Sequence, residues 1–151
     1  GRPMAPEAWY TRYVSNYIDV PNEPLYPFGY GLSYTEYEYG QVKLSSDEMT
    51  ADGTIEASVV VTNAGQRDGE EIVQLYLRDM VRSVTPPVME LKDYKRIALK
   101  AGESKTVTFN IDVNDLKFFN SALDYVAEPG EFTVMIGGNS LDVESAKFVL
   151  K

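Results

Sequence analysis

Residues Thr54–Asn63 read TIEASVVVTN, with Ile55, Ala57, Val59 and Val61 on one side and Thr54, Glu56, Ser58 and Thr62 on the other. Alternation at period two sets one face against a core and leaves the other in water, which is the pattern of a half-buried strand. The same period recurs at Glu71–Arg78 (Val73, Leu75, Leu77), at Thr106–Asp112 (Val107, Phe109, Ile111), at Glu131–Ile136 (Phe132, Val134, Ile136) and at Ala146–Lys151 (Phe148, Leu150). Turn-forming residues separate these runs: Asp52-Gly53, Asn63-Ala64-Gly65, Ala101-Gly102, Pro129-Gly130 and Gly137-Gly138-Asn139. A single helical turn fits Val113–Leu116, with Asp112 or Asn114 as its cap. About seven or eight short strands with almost no helix describe an all-β, two-sheet antiparallel sandwich over residues 34–151.

Upstream the texture changes. Residues 1–33 show neither period, and Pro3, Pro6, Pro21, Pro24 and Pro27 interrupt any long element. Trp9, Tyr10, Tyr13, Tyr17 and Ile18 make the segment too apolar for a solvated linker. It reads as an extended strap, residues 1–33, lying against a surface. Its densest part runs into the first strand as EPLYPFGYGLSYTEYEYG, Glu23–Gly40, with Tyr26, Phe28, Tyr30, Tyr34, Tyr37 and Tyr39 and no lysine or arginine.

Two readings compete for that stretch. A row of tyrosines on an exposed flat face stacks on neutral sugar rings, which makes a carbohydrate-binding module. Alternatively Trp9, Tyr26, Phe28, Tyr30 and Tyr34 are anchors that bury their large rings against a neighbouring domain. Pro24 and Pro27 stiffen the segment before it docks, and Gly29 and Gly31 permit a tight bend. Crowding of Tyr26, Phe28, Tyr30 and Tyr34 into an irregular turn suits the anchor better. Tyr37 and Tyr39, at period two, fit either core or surface.

The totals exclude several classes of function. The chain has 151 residues with neither cysteine nor histidine, so disulfides, thiolate chemistry, Ser-His-Asp triads and histidine-bound zinc are out of reach. Lys+Arg is 14 against Asp+Glu 23, a formal charge of -9, which opposes nucleic acid and anionic membranes. No run of about 20 apolar residues crosses a bilayer. Gly1-Arg2-Pro3 opens neither with methionine nor with an apolar signal region, so the chain reads as a piece of a longer one.

Carboxylates are the remaining candidates for chemistry. Asp68, Glu70 and Glu71 cluster before one strand, and Asp112 and Asp115 flank the helical turn. Glycosidic cleavage needs a carboxyl pair at a defined separation, one with a raised pKa. Nothing in the sequence points to the required burial, so solvated or capping roles are expected. Asp47, Glu48 and Asp52 offer oxygens to calcium but lack the loop spacing of a dedicated site, and read as a polar hairpin end. Asn139-Ser140-Leu141-Asp142 reads as a strand connection.

With these residues in place, a family resemblance emerges. LYPFGYGLSYT (Leu25–Thr35) resembles the entry into the C-terminal fibronectin type III-like domain of glycoside hydrolase family 3 enzymes, the β-glucosidase and β-xylosidase group. VTNAGQRDGEEIVQLYLRD (Val61–Asp79), ELKDYKRIALKAGESKTVTF (Glu90–Phe109), DLKFFN (Asp115–Asn120) and AEPGEFTVMIGGNS (Ala127–Ser140) resemble further runs of that family in the same order. The chain departs from it at Pro86, where arginine is frequent, and at Asp93, where glycine is usual; both are expected in one long loop. The resemblance implies an immunoglobulin/fibronectin III-like sandwich, residues 34–151, joined to catalytic domains by the strap. In such enzymes the nucleophilic aspartate lies in a barrel domain and the acid/base glutamate in a following α/β domain. No residue of this chain takes either role, so the resemblance implies no catalytic residue, cofactor or metal here. It implies as partners the catalytic domains of the same parent, a retaining and exported (periplasmic or extracellular) glycosidase. Contacts between copies of the chain, a homodimer, and a neutral oligosaccharide are the alternatives left open.

Overall fold

In the computed structural model, which describes residues 24–85 and 87–151, the chain runs β1 (Tyr37–Tyr39), β2 (Lys43–Leu44), β3 (Glu48–Met49), β4 (Thr54–Asn63), β5 (Gly69–Asp79), β6 (Glu90–Leu99) and β7 (Ser104–Asp112). A helical turn α1 (Val113–Leu116) follows, then β8 (Phe118–Phe119), β9 (Tyr125–Val126), β10 (Gly130–Gly137) and β11 (Val143–Leu150). β4 is the centre of one sheet, pairing β7 from Thr54↔Asp112 to Thr62↔Ser104 and taking β1 and β2 on its other flank. The second sheet has the order β3-β11-β10-β5-β6. The sandwich read from the alternation is therefore present, and the extra strands beyond seven or eight are two-residue pieces. The pairing of β3 with β11 is parallel, so the first edge of the chain switches sheets between β2 and β3.

The inward residues meet as the period demands. Ile55, Val59, Phe109 and Ile111 from one sheet pack with Val73, Leu75, Phe132, Ile136 and Phe148 from the other in one cluster. The Phe132 and Phe148 rings stack with centroids 5.5 Å apart. Removing such a side chain from water stabilises the fold by about 1.5–3 kcal/mol each. Tyr37 and Tyr39 pack against the edge of this cluster, half-buried, which settles their position in favour of core support.

β5 breaks the simple rule. From Val73 to Leu77 every residue is buried, although alternation sends Gln74 and Tyr76 to the outer face. Met135 on β10 is buried in the same way, and neither it nor Tyr76 belongs to the central cluster. The middle of the five-stranded sheet is thus covered on both faces, as in strands of unbroken apolar character.

Two expectations need correction. Asp93 lies not in a loop but in β6, opposite Leu75, at an irregularity where the register with β5 shifts between Leu75 and Tyr76. β6 is an edge strand whose lysine, arginine and aspartate side chains are mostly exposed, so it carries no clean period. Pro86, the other departure, lies outside the described residues. The second is the solvated role expected of Glu71, whose side chain is half-buried. At the helical turn Asp112 is the cap: its Oδ1 accepts from Asn114 N at 2.7 Å, and Asp115 Oδ2 accepts from Asp112 N at 3.0 Å.

Candidate functional site

The strap begins its described course at Pro24. Tyr30 N donates to the Pro27 carbonyl at 3.1 Å, closing a turn in which Gly29 has φ +80°. That value suits glycine at the third position of such a turn. The next carbonyls are held by the sandwich. Ser140 N donates to Phe28 O at 2.9 Å, and the Gln74 side-chain amide donates to Gly29 O at 3.5 Å and to Gly138 O at 2.5 Å. Gln74 Oε1 in turn accepts from the Tyr76 hydroxyl at 2.5 Å. Gln74 is buried on the outer face of β5 because the strap backbone and the β10–β11 turn accept its amide hydrogens, and Tyr76 is buried with it as the donor to its Oε1.

Further along, Thr35 Oγ1 donates to Asn63 Oδ1 at 2.6 Å. Asn63 is fully buried; its amide donates to Arg67 O at 2.7 Å and Leu99 O at 3.2 Å, and its Oδ1 also accepts from Gly65 N at 3.1 Å. The strap is therefore tied to the domain through its backbone at Phe28 and Gly29, and the residues that follow it through a side chain at Thr35.

Its aromatic side chains do the opposite. Tyr26, Phe28, Tyr30 and Tyr34 are exposed, Phe28 by 65% and Tyr34 by 92%, as are Leu25 and Leu32. Tyr26 and Tyr30 stack on each other, with centroids 5.2 Å apart and planes 28° from parallel. Trp9, the remaining anchor candidate, lies outside the described residues.

Between the strap and the sandwich lies a cleft of about 470 Å³, lined by Tyr30, Ser33, Tyr37, Tyr39, Glu71 and Gly138 among others. Within it the Tyr39 hydroxyl donates to Glu71 Oε1 at 3.1 Å. Here the expectation of a solvated Glu71 fails. Burial pushes its carboxyl above the ordinary range, against the opposing hydrogen bonds from Tyr39 and the Ile72 backbone. Burial likewise raises Tyr39 and Tyr37, and the charge of Glu71 adds to both. The Tyr37 hydroxyl oxygen is buried, with no hydrogen-bond partner among the described residues. Sequence could not reveal this pocket, because it joins β1 to β5 across 32 positions.

The other carboxylates take structural roles. Asp68 accepts from Ala101 N at 3.0 Å, and Glu70 pairs with Arg96. Glu48 pairs with Lys151 at 2.6 Å, and Asn139 Oδ1 accepts from Leu141 N and Asp142 N, closing the β10–β11 connection. Among the described residues no three acidic groups are arranged to hold a metal ion.

A family model described as the fibronectin type III-like domain matches residues 71–140. The chain contains a fibronectin type III-like domain of the kind found in family 3 glycoside hydrolases. The chain is 50% identical over 150 residues to the periplasmic β-glucosidase of Salmonella typhimurium, covering 99% of the chain and 20% of the relative. It is 46% identical to a putative β-xylosidase of Formosa agariphila, covering 92% of the chain and 18% of the relative. Among solved structures, the β-glucosidase of Listeria innocua in complex with glucose matches with a TM-score of 0.90 at 42% identity, over 99% of the chain and 21% of that protein. The chain spans about a fifth of the length of these relatives.

Proposed function

We propose that the fibronectin type III-like domain is a non-catalytic structural and interaction module within a longer, exported, retaining glycosidase of the β-glucosidase and β-xylosidase group. Its role is to seat the strap against the catalytic domains through Tyr26, Phe28, Tyr30 and Tyr34. The observation that carries this reading is the split character of the strap. Its backbone is bonded to the sandwich at Phe28 and Gly29, while its rings face outward. An exposed apolar set on a fixed backbone binds with little ordering cost. Export is inferred from the relative named a periplasmic β-glucosidase.

The arrangement does not favour a carbohydrate platform. Tyr26 and Tyr30 turn a ring face to each other, and Tyr37 and Tyr39 support the core. The test is removal of residues 24–151 from the full-length parent. The expected result is loss of thermal stability, with kcat falling through inactivation and not through chemistry. Unchanged stability and activity would overturn the reading.

A further inference from the structure

We propose that the cleft beside the strap is a guanidinium seat, occupied by an arginine side chain from the rest of the parent chain. The source of that arginine rests on the reading of this domain as an interdomain module; the chemistry of the seat does not.

Charge sets the first constraint. None of the residues lining the cleft is lysine or arginine, while Glu71 and Asp142 both reach it. Glu70, next in sequence, has Arg96 as its partner. Glu71 has no cation among the described residues and only the Tyr39 hydroxyl as a side-chain donor. A half-buried carboxylate with one side-chain donor retains accepting capacity that a cationic donor fills most strongly.

Shape sets the second. A Cβ on Gly138 would fall 2.8 Å from Glu71 Oε1 and 3.3 Å from the Tyr39 hydroxyl, so a glycine at this turn leaves the approach to the carboxylate open. Tyr30, Tyr37 and Tyr39 wall the space, and a planar cation stacks on such rings. A planar group with several donors in a fixed fork pairs with the Glu71 carboxylate while its face lies on these rings, which an ammonium or a sugar hydroxyl does less well. An acidic domain, with 14 cations against 23 anions, also draws a basic partner.

The first test titrates N-acetyl-L-arginine amide into the isotope-labelled 151-residue chain and follows backbone amide shifts. Saturable shifts at Tyr39, Glu71, Ile72 and Gly138 are expected, weakened at least tenfold by Glu71→Gln. That variant keeps the shape of the side chain and its acceptor for Tyr39. Absence of saturation, equal binding by Glu71→Gln, or the same shifts with cellobiose at equal concentration would overturn the seat.

The second arm places Glu71→Gln in the full-length parent. There it should lower the melting temperature and speed proteolytic release of the domain, while the melting temperature of the 151-residue chain does not fall. If strap substitutions loosen the parent and Glu71→Gln does not, the arginine seat is wrong and the docking reading stands. If neither loosens it, the docking reading fails and the proposed source of the arginine falls with it.

Discussion

A Cβ on Gly29 would lie 2.2 Å from Gln74 Oε1, so the strap and the five-stranded sheet are interlocked at this point. The contact explains an otherwise odd feature of β5, a buried glutamine on the outer face of a sheet. It also means that the strap belongs mechanically to this domain, whatever its rings touch.

Gly29→Ala should therefore detach the strap. The substitution meets both the glutamine and a φ of +80°, a combination that costs about 1–3 kcal/mol if the backbone stays in place. The local cost is more easily relieved by lifting the turn. Hydrogen exchange at the Ser140 amide, which donates to Phe28 O, is the readout. At least tenfold faster exchange is expected; an unchanged rate would show that the turn is held elsewhere.

Asn63→Ala should destabilise the whole domain by about 2–4 kcal/mol, because it orphans buried partners on both sides of the amide. Urea unfolding measures this directly. A loss under about 0.5 kcal/mol would mean that water replaces the side chain at no cost. Asn63→Asp should be no better, since a carboxylate cannot donate to the Arg67 and Leu99 carbonyls.

These sites differ in how far the sequence foretold them. Alternation alone located β4, β5, β7, β10 and β11, since each has one face in the core. β6 escaped because an edge strand with exposed lysines, arginine and aspartate has no buried face to impose a period. Turn chemistry marked Asn63-Ala64-Gly65, and the fold shows why: Asn63 Oδ1 bonds Gly65 N, and the glycine leaves room for Thr35. The strap aromatics were legible as a set, whereas the direction of their rings was not, because it depends on Gln74 from a strand far along the chain. Glu71 was misread for the same reason. Its burial is created by Tyr39, and a cluster of acids in sequence carries no sign of that.

Arg82→Ala should cost about 3–5 kcal/mol, the magnitude for breaking a buried ion pair. Arg82 Nε reaches Asp79 Oδ2 at 2.9 Å, with Asp79 only 2% exposed, and its guanidinium lies 4.7 Å from the centre of the Phe118 ring. A loss below about 1 kcal/mol on urea unfolding would place this pair with ordinary surface bridges.

Acid should erode a separate contribution from Glu90. Burial raises its pKa, but hydrogen bonds and charge from Lys92 and Arg82 outweigh that and hold the carboxyl below the ordinary range. A pKa lowered on folding adds stability above the unfolded value of about 4.3, and that stability is lost as pH falls through the folded value. The stability gap between the wild type and Glu90→Gln should thus shrink between about pH 7 and about pH 3. A gap independent of pH would contradict the ion-pair origin.

The central claim is that the strap offers Tyr26, Phe28, Tyr30 and Tyr34 to a neighbouring domain. Hydroxyl-radical footprinting of these four side chains, in the 151-residue chain and in the full-length parent, measures it most directly. All four should be modified readily in the isolated chain and protected several-fold in the parent, with exposed Phe119 and Tyr125 as internal references. Equal modification of the four in both proteins would contradict the claim.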